Sequence, residues 1–388
     1  MREGAPHGRG PGGLPLDFDR APFLVIWEST RACDLACRHC RAEARPEADP
    51  EELSTEEAIA LIDDVRRFGP IVFVFSGGDC LKRPDIVELV AHAASLGLRV
   101  GVTPATTPLA TPKTIRRLKD AGLARLAVSL DGSTPAIHDA FRRVEGSFDH
   151  GLRILEEAGR IGLSTQVNTV IGPHNLDDFD DLGALVARLG IALWEVFCLV
   201  PVGRATVDDV AGADAFEAVF HRLYDLAKTA PFDVKATAAP HYNRVVLQRK
   251  AAEKRAGLRT EAGDVLTDGA LHSARDGIGR ARNVNDGDGF LFVGHTGEIH
   301  PSGFLPVPAG NVRRDDLVDV YRSSGIFTAL RDRNRLRGKC GVCEFRAVCG
   351  GSRARAWAVT GDWLESEPYC AWVPRSMREE GASETTAA

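Results

Sequence analysis

The sequence has no long hydrophobic run, no secretion signal and no excess of positive charge. Its apolar stretches are all shorter than the ~20 residues that a membrane-spanning helix requires. Residues 1–19 are rich in glycine and proline and lack the apolar core of a signal peptide. The formal net charge of −6 gives no support for a nucleic-acid-binding surface. We therefore expect neither a membrane nor a nucleic-acid partner.

Cysteine is too scarce for a disulfide-stabilised scaffold, and it is unevenly placed. The chain has nine cysteines in 388 residues. Seven of them fall in two short segments, and the other two are Cys80 and Cys198. Clusters of this kind in a protein without a leader favour metal binding in a reducing cytoplasm. With 44% hydrophobic and 26% charged residues, the composition is typical of a globular protein with a large core.

Short apolar runs alternate with amphipathic stretches from Pro22 to about Pro201. Uninterrupted hydrophobicity is typical of parallel strands that are covered on both faces. The predicted strands are Phe23–Trp27, Ile71–Phe75, Leu98–Val102, Leu126–Leu130, Thr165–Ile171 and Leu193–Val200. The predicted helices are Ala58–Phe68 after a capping box at Ser54–Glu57, Asp85–Leu96, Lys113–Ala121 after Thr111–Pro112, Gly151–Ile161 and Leu176–Leu189. Six βα units in a row predict a parallel α/β barrel or an open doubly wound sheet, with its chemistry at the carboxyl ends of the strands.

The remaining sequence is less regular. A Gly-, Asp-, Asn- and Arg-rich segment of this length predicts a long loop, and two short apolar runs around a glycine turn predict a hairpin. In order, the predicted elements are a helix over Ala213–Ala230, a strand over Phe232–Thr237, a helix over Tyr242–Arg259, the loop over Thr260–Asp288, the hairpin over Gly289–His300 and a helix over Leu317–Tyr321.

The first cysteine set directly follows the first predicted strand. Cys33, Cys37 and Cys40 form the spacing C-x3-C-x2-C. Three thiolates this close can hold one iron–sulfur cluster, which normally takes four cysteines, so one metal position stays open. An open position distinguishes a reactive metal site from a closed structural one. A structural zinc site is the alternative, although His39, inside the loop, is its only local fourth ligand.

The second cysteine set lies near the carboxyl terminus and is complete. It has the spacing C-x2-C-x5-C-x20-C, formed by Cys340, Cys343, Cys349 and Cys370. Four thiolates are a full ligand set for zinc or for a [4Fe–4S] cluster. The spacing alone does not choose between these metals.

The triad in this position resembles the radical S-adenosylmethionine (SAM) superfamily. In that family three cysteines hold a [4Fe–4S] cluster that binds SAM and cleaves it reductively to a 5′-deoxyadenosyl radical. The resemblance implies a partial (β/α)6 barrel. The second set resembles the SPASM/twitch auxiliary-cluster modules, which implies a C-terminal extension with a second [4Fe–4S] cluster. Many such modules carry a further cysteine near the position of Ser302, so we expect one auxiliary cluster only.

The same resemblance implies a set of SAM-binding residues. Ser76-Gly77-Gly78-Asp79 is similar to the family motif whose backbone and carboxylate take the SAM ammonium group. In relatives, a serine at the end of the fourth strand touches SAM, an arginine downstream meets its carboxylate, and the segment after the sixth strand contacts the adenine. Asn168, together with Thr169, is expected to face the same mouth of the barrel. The implied cofactor-binding residues are Gly77, Gly78, Asp79, Ser129, Arg142, Asn168 and Gly203.

Several other residues are candidates for proton transfer or substrate contact. His241, Tyr242, His295 and His300 fit such a role, although an ordinary surface or hairpin position is the simpler interpretation of each. Arg353 and Arg355 are suited to a carboxylated substrate, but a solvated charged face is the simpler interpretation. The predicted domains are a disordered tail over 1–20, the barrel over 21–205, linking helices and the long loop over 206–288, the auxiliary-cluster domain over 289–375, and a disordered tail over 376–388.

These features lead to one preferred function and two alternatives. The preferred one is a cytoplasmic radical SAM enzyme that takes hydrogen from a tetrapyrrole or another carboxylated small molecule, as in the haem-biosynthesis branch of the family. An electron donor such as flavodoxin or ferredoxin is then required. The alternatives are a maturase of a ribosomally made peptide and a zinc-binding scaffold protein. Little sequence precedes the first predicted strand, which leaves no room for a peptide-recognition domain there and favours the small molecule.

Overall fold

A ten-stranded mixed sheet organises the chain. The computed structural model describes residues 8–9, 17–258, 276, 278, 280–281 and 283–378. The sheet order is β12-β11-β10-β2-β3-β4-β5-β6-β7-β8, and β1 pairs separately with β9. The strands are β1 Gly8–Arg9, β2 Leu24–Glu28, β3 Val72–Ser76, β4 Arg99–Val102, β5 Arg125–Ser129, β6 Ser164–Ile171, β7 Leu193–Cys198, β8 Asp233–Thr237, β9 Arg280–Ala281, β10 Phe290–Val293, β11 Glu298–His300 and β12 Gly310–Asn311.

Helices connect and cover these strands. The helices are α1 Thr55–Arg66, α2 Ile86–Ser95, α3 Pro112–Asp120, α4 Pro135–Arg142, α5 Ser147–Arg160, α6 Phe179–Ala187, α7 Ala213–Ala227, α8 Tyr242–Arg255, α9 Leu317–Ser323, α10 Gly325–Arg331, α11 Gly338–Val342 and α12 Arg353–Thr360. The two predicted helix starts, at Ser54 and at Thr111, are confirmed. The amide of Glu57 donates to Ser54 Oγ at 3.2 Å, and the amide of Ser54 donates to Glu57 Oε2 at 2.9 Å. The amide of Thr114 likewise donates to Thr111 Oγ1, ahead of a proline in the first turn.

The predicted alternation of strands and helices is confirmed. Strands β2 to β8 follow one another in chain order and all pair in parallel. Val25, Trp27, Phe73 and Phe75 are fully buried within the main core, because helices cover this face of the sheet. Helix α4 between β5 and α5 was not predicted, although Pro135 in its first turn is a start signal of the same kind as the proline of α3.

The sheet extends beyond the six predicted units at both ends. Strand β8 adds to β7, and β10 adds in parallel to β2 before turning back into β11, as the hairpin prediction required. The sheet thus crosses the proposed domain limits at 205 and 288, and these limits stay a prediction. Part of the proposed N-terminal tail is ordered, because Phe18 is buried and its carbonyl accepts from Tyr321 Oη at 2.7 Å. Most of residues 1–16, 259–282 and 379–388, where loops or tails are predicted, lies outside the described residues.

No helix in the described ranges is both long enough and apolar enough to cross a membrane.

Candidate active site

The three cysteines of the triad lie on the loop between β2 and α1, at the carboxyl end of the parallel strands. Cys33 and Cys37 are buried, and Cys40 packs against the same small apolar cluster. Each sulfur accepts a hydrogen bond from a different donor: the amide of Leu35 at 3.3 Å, Arg142 Nη1 at 3.7 Å and the amide of Ala44 at 3.3 Å. Hydrogen bonds to cysteine sulfur are a principal means by which a protein tunes an iron–sulfur cluster. The donors and the three thiols therefore fit a [4Fe–4S] cluster.

Two thiols of the triad, those of Cys33 and Cys37, depend on a metal to become thiolates. Burial raises the pKa of Cys33 to about 12, against the lowering effect of the Leu35 amide. The charges of Asp79, Cys37 and Cys40 raise this pKa further. Burial also raises the pKa of Cys37, although Arg142 opposes it. A bound metal deprotonates its thiol ligands outright, so assembly of a cluster and ionisation of these cysteines are coupled.

The glycines after β3 are pressed against the cysteine loop. The amides of Gly78 and Asp79 donate to the carbonyls of Thr30 and Ala32, each at 2.7 Å. A Cβ on Gly78 would lie 2.5 Å from the Ala32 carbonyl oxygen, and a Cβ on Gly77, whose φ is +152°, would lie 2.5 Å from the Thr30 carbonyl oxygen. Real Cβ atoms do not approach so closely, so only glycine allows β3 and the loop to meet.

Asp79 secures the same junction with its side chain. It is fully buried, and its carboxylate accepts from the Leu81 amide at 3.1 Å, Thr107 Oγ1 at 2.5 Å and the Ala105 amide at 3.4 Å. Burial raises its pKa in spite of these three donors. The carboxylate thus holds the ends of β3 and β4 together, and its predicted contact with the SAM ammonium stays a prediction.

A Gly78→Ala substitution is expected to distort the cysteine loop. Because the new Cβ would clash with two backbone carbonyls of that loop, we expect iron binding and 5′-deoxyadenosine formation to fall by about 10- to 100-fold, the usual cost of losing a residue that supports metal ligands. Iron content and anaerobic SAM cleavage measure this. Gly159→Ala is the matched control, since a Cβ there would enter open space in α5. Equal activity of the two variants would contradict the prediction.

The guanidinium group of Arg142 bonds to two partners within the protein, Asp131 and Cys37. Its Nε and Nη2 lie 2.6 and 2.5 Å from Asp131 Oδ2, while Nη1 donates to Cys37. Burial by itself raises the pKa of Asp131, but Arg142, His39 and His138 hold it at about 2. Asp131 is therefore ionised and fully buried, and it holds the guanidinium group of Arg142 in place. Contact between Arg142 and the SAM carboxylate stays a prediction.

Ser129 and Asn168 are direct neighbours across β5 and β6. Asn168 Oδ1 accepts from Gln166 at 2.7 Å, and Gln166 donates in turn to Glu195. The expectation that Thr169 faces the same mouth is wrong. Successive side chains of a strand point to opposite faces, and the buried Thr169 hydroxyl donates to the Leu130 carbonyl at 2.6 Å.

Gly203 follows β7 and contacts the cysteine loop from the other side. Its φ is +63°, and a Cβ there would lie 2.6 Å from the Arg41 carbonyl oxygen. The neighbouring Arg204 donates from its amide to the Cys40 carbonyl at 3.1 Å and from its side chain to the Cys37 carbonyl. The loop is thus held between the segment after β3 and the segment after β7.

The second cysteine set surrounds a separate cavity. Cys340, Cys343, Cys349 and Cys370 all line it, together with His241 and Arg244. Cys340 accepts from the Glu367 amide at 3.2 Å and from Arg353 Nη2 at 3.7 Å. Cys349 accepts from the Gly351 amide at 3.3 Å.

These four sulfurs suit a cluster. Within the described ranges no group of three or more His, Cys, Asp or Glu side chains is arranged to hold a single metal ion. The sulfurs line a common cavity, as is needed when each thiolate binds a different iron of one [4Fe–4S] cluster.

The prediction that Arg353 and Arg355 form a solvated charged face is wrong. Both are fully buried, because their guanidinium donors find acceptors inside the protein. Arg355 pairs with Glu367 at 2.8 Å and also donates to the carbonyls of Cys198 and Leu199. The four-cysteine segment is thereby tied to the carboxyl end of β7, so both cysteine sets lie at the same end of the sheet.

The remaining candidates are not ordinary surface residues. His241 is fully buried beside the second cysteine set, and burial lowers its pKa to about 3. Tyr242 is buried in the core. His295 bonds to Glu28, a buried carboxylate at the end of β2 that sequence reasoning missed. A charged residue that ends an apolar strand just before the cysteines was the available signal.

Comparison with known proteins settles the family. The family model described as the Radical SAM superfamily matches residues 27–186, which contain the triad and the Gly-Gly-Asp motif. The AdoMet-dependent heme synthase of Nitratidesulfovibrio vulgaris is 41% identical over 357 residues, covering 91% of this chain and 93% of that protein. The chain belongs to the radical SAM superfamily. Its resemblance to the haem-biosynthesis branch is confirmed.

Other similarities agree with this membership. The Fe-coproporphyrin III synthase of Methanosarcina barkeri is 30% identical and covers 92% of this chain and 89% of that protein. The structure of Streptococcus suis SuiB bound to precursor peptide SuiA superposes with a TM-score of 0.64 at 14% identity, over 91% of this chain and 76% of that one. The predicted radical SAM fold with a SPASM-type extension is therefore confirmed. As a radical SAM protein the chain is an enzyme of a family that uses a [4Fe–4S] cluster and SAM, and the zinc-scaffold hypothesis is wrong.

Proposed function

We propose that this radical SAM enzyme removes propionate carboxylates oxidatively from an iron tetrapyrrole and so forms a haem. The observation that carries the proposal is the similarity to AdoMet-dependent heme synthases, which extends over nine-tenths of the chain rather than over the barrel alone. The position of both cysteine sets at one end of the sheet, linked through Arg355, supports joint action on one substrate.

The residues of the chain have distinct parts in this proposal. Cys33, Cys37 and Cys40 would hold the SAM-binding cluster, and Cys340, Cys343, Cys349 and Cys370 the auxiliary one. When bound, the first cluster supplies the electron that cleaves SAM, and the second supplies an acceptor for the electron that leaves the substrate. Gly77, Gly78 and Asp79 keep the loop in place, and Ser129, Asn168 and Gly203 are proposed to border the SAM site. Burial of the triad excludes water, which protects a reactive carbon radical.

The proposed reaction is balanced in atoms and charge for each propionate group of the substrate. The 5′-deoxyadenosyl radical takes one hydrogen atom from the ring-attached carbon of a propionate, R–CH2–CH2–COO⁻. The resulting R–CH•–CH2–COO⁻ loses one electron and CO2 to become the vinyl group R–CH=CH2.

We further propose a reducing cytoplasmic setting with flavodoxin or ferredoxin as the donor of the electron for SAM.

The test is anaerobic turnover of the reconstituted full-length enzyme with SAM, dithionite and iron coproporphyrin III. We expect 5′-deoxyadenosine together with porphyrin products that have lost CO2 and two hydrogens at each converted propionate, identified by mass spectrometry. Parallel reactions with candidate precursor peptides test the alternative function. Formation of 5′-deoxyadenosine with an unchanged porphyrin and a modified peptide would replace the haem proposal with the peptide-maturase one.

A further inference from the structure

A second cavity opens beside the cysteine loop, at the side where the β10–β11 hairpin extends the barrel. Its volume is about 220 Å³. Its walls come from three places: the end of β2 with the cysteine loop, the hairpin, and the segment after β7. Residues of these walls include Glu28, Arg31, Arg41, Val202, Gly203, Phe292, His295, His300 and Pro306. Because Gly203 also touches the backbone of the loop, a molecule in this cavity would lie next to the proposed radical-generating site.

One histidine in this cavity is held by a buried carboxylate. His295 Nδ1 lies 2.9 Å from Glu28 Oε1, and the two side chains are only 13% and 5% exposed. The other oxygen of Glu28 pairs with Arg41 at 2.6 Å. Burial alone would raise the pKa of Glu28, but Arg41 and His295 keep it lowered. An ionised Glu28 therefore accepts a hydrogen bond from Nδ1–H, and this fixes the tautomer in which Nε2 carries the free lone pair.

The second nitrogen of this ring is available for a ligand. His295 Nε2 lies 3.8 Å from Asp49 Oδ2, which is beyond hydrogen-bond distance, and that oxygen is paired with Arg45. Among the described residues, Nε2 has no hydrogen-bond partner. A histidine whose other nitrogen donates to a carboxylate is the usual arrangement of a metal-ligating imidazole, because the carboxylate orients the ring and raises its basicity.

We propose that His295 Nε2 is an axial ligand of the iron in a tetrapyrrole substrate that binds with one edge in this cavity. The inference rests on the proposed function, and it adds the residue that would recognise the metal. Imidazole nitrogen is a common protein ligand of haem iron. The cavity also has apolar surface from Val202, Phe292 and Pro306. Its charged lining includes the guanidinium groups of Arg31 and Arg41, which suit propionate carboxylates, beside the carboxylates of Glu28, Glu43 and Glu298.

The size of the cavity limits how the ring enters. It is smaller than the roughly 300–1,000 Å³ of a pocket that encloses a whole drug-sized ligand. We therefore expect the iron-bearing centre and one edge of the ring to be enclosed, with the other propionates outside. Arg41 stacks over Phe292 at 4.6 Å from the ring centroid and so already presents a cation along this wall.

The test uses the full-length protein and iron coproporphyrin III as the probe, monitored by optical and electron paramagnetic resonance spectra. Wild type is expected to give the spectrum of an iron porphyrin with an axial imidazole ligand. In His295→Ala this signature is lost and the affinity falls by at least about 10-fold, since even the loss of a residue that only orients a metal ligand costs about 10- to 100-fold. Added imidazole restores the signature. Metal-free coproporphyrin III is expected to bind wild type and His295→Ala equally, which shows that the variant is folded.

His300→Ala is the matched control, because His300 lines the same cavity but its Nδ1 has no hydrogen-bond partner among the described residues, so no carboxylate orients this ring through that nitrogen. The His300→Ala protein should keep the spectral signature of the axial imidazole ligand. A His295→Ala protein that retains the signature, or a His300→Ala protein that loses it, would overturn the assignment of His295 and leave the haem proposal intact. A wild-type protein that shows no spectral change with the iron porphyrin would overturn both.

Discussion

Replacing Cys33 by alanine is expected to abolish the formation of 5′-deoxyadenosine. Three thiolates are already one fewer than an ordinary cluster uses, so two cannot retain a cluster with an open iron position. No other thiol of the described chain belongs to the small apolar cluster of the triad, since Cys80 and Cys198 are part of the main hydrophobic core and the remaining four line their own cavity. Iron content should fall from about eight to about four atoms per chain, because each [4Fe–4S] cluster contributes four.

Cys198→Ala is the control for this experiment. Cys198 is a core thiol at the end of β7, 1% exposed, and its side chain belongs to the hydrophobic core. It should keep both clusters and wild-type SAM cleavage. A Cys33→Ala protein that still forms 5′-deoxyadenosine after anaerobic reduction would show that the triad does not hold the SAM-binding cluster.

Replacing Cys343 by alanine is expected to separate SAM cleavage from product formation. The sulfurs of the two cysteine sets take their hydrogen bonds from different segments, so the loss of one set need not dismantle the other. The variant should retain about four irons per chain and form 5′-deoxyadenosine. It should yield no decarboxylated porphyrin, because the electron that must leave the substrate radical has lost its acceptor.

Both products are quantified in the same anaerobic reaction by liquid chromatography and mass spectrometry. Circular dichroism of the variant checks that the C-terminal segment, tied to the barrel through Arg355, stays folded. Complete loss of SAM cleavage in Cys343→Ala as well as in Cys33→Ala would mean that the second set serves the structure of the protein rather than electron transfer.

Local sequence patterns were sufficient to predict most strands and helices of the barrel and the cysteines that would hold clusters. A parallel strand covered on both faces reads as an apolar run, and a helix start is marked by its capping residues, so both are recognisable within a few residues. The observed starts of β2 and β3 differ from the predicted ones by one residue. The cysteine triad and the glycines of the Gly-Gly-Asp motif were recognisable for the same reason. Both are identified by short spacings and by their position directly after a strand.

The partners of buried charges were not predictable in this way. Glu28 and His295 are 267 positions apart, and Arg355 and Cys198 are 157 apart. In a linear sequence a buried arginine such as Arg355 is indistinguishable from one on a solvated surface, which is why Arg353 and Arg355 were misplaced. The ion pair of the buried Asp131 with Arg142, only 11 positions away, was not predicted either.

The sequence by itself therefore determined the order of strands and helices, the end of the sheet that carries the chemistry, and the thiols available to hold clusters. Only the tertiary structure decided how the cysteine loop is held between Gly78 and Gly203, how Arg355 ties the second cysteine set to β7, and which histidine is aligned by a carboxylate. The physical reason is that secondary structure follows from periodicities a few residues long. A charge can be buried only where the folded chain brings it an opposite charge or enough hydrogen-bond partners.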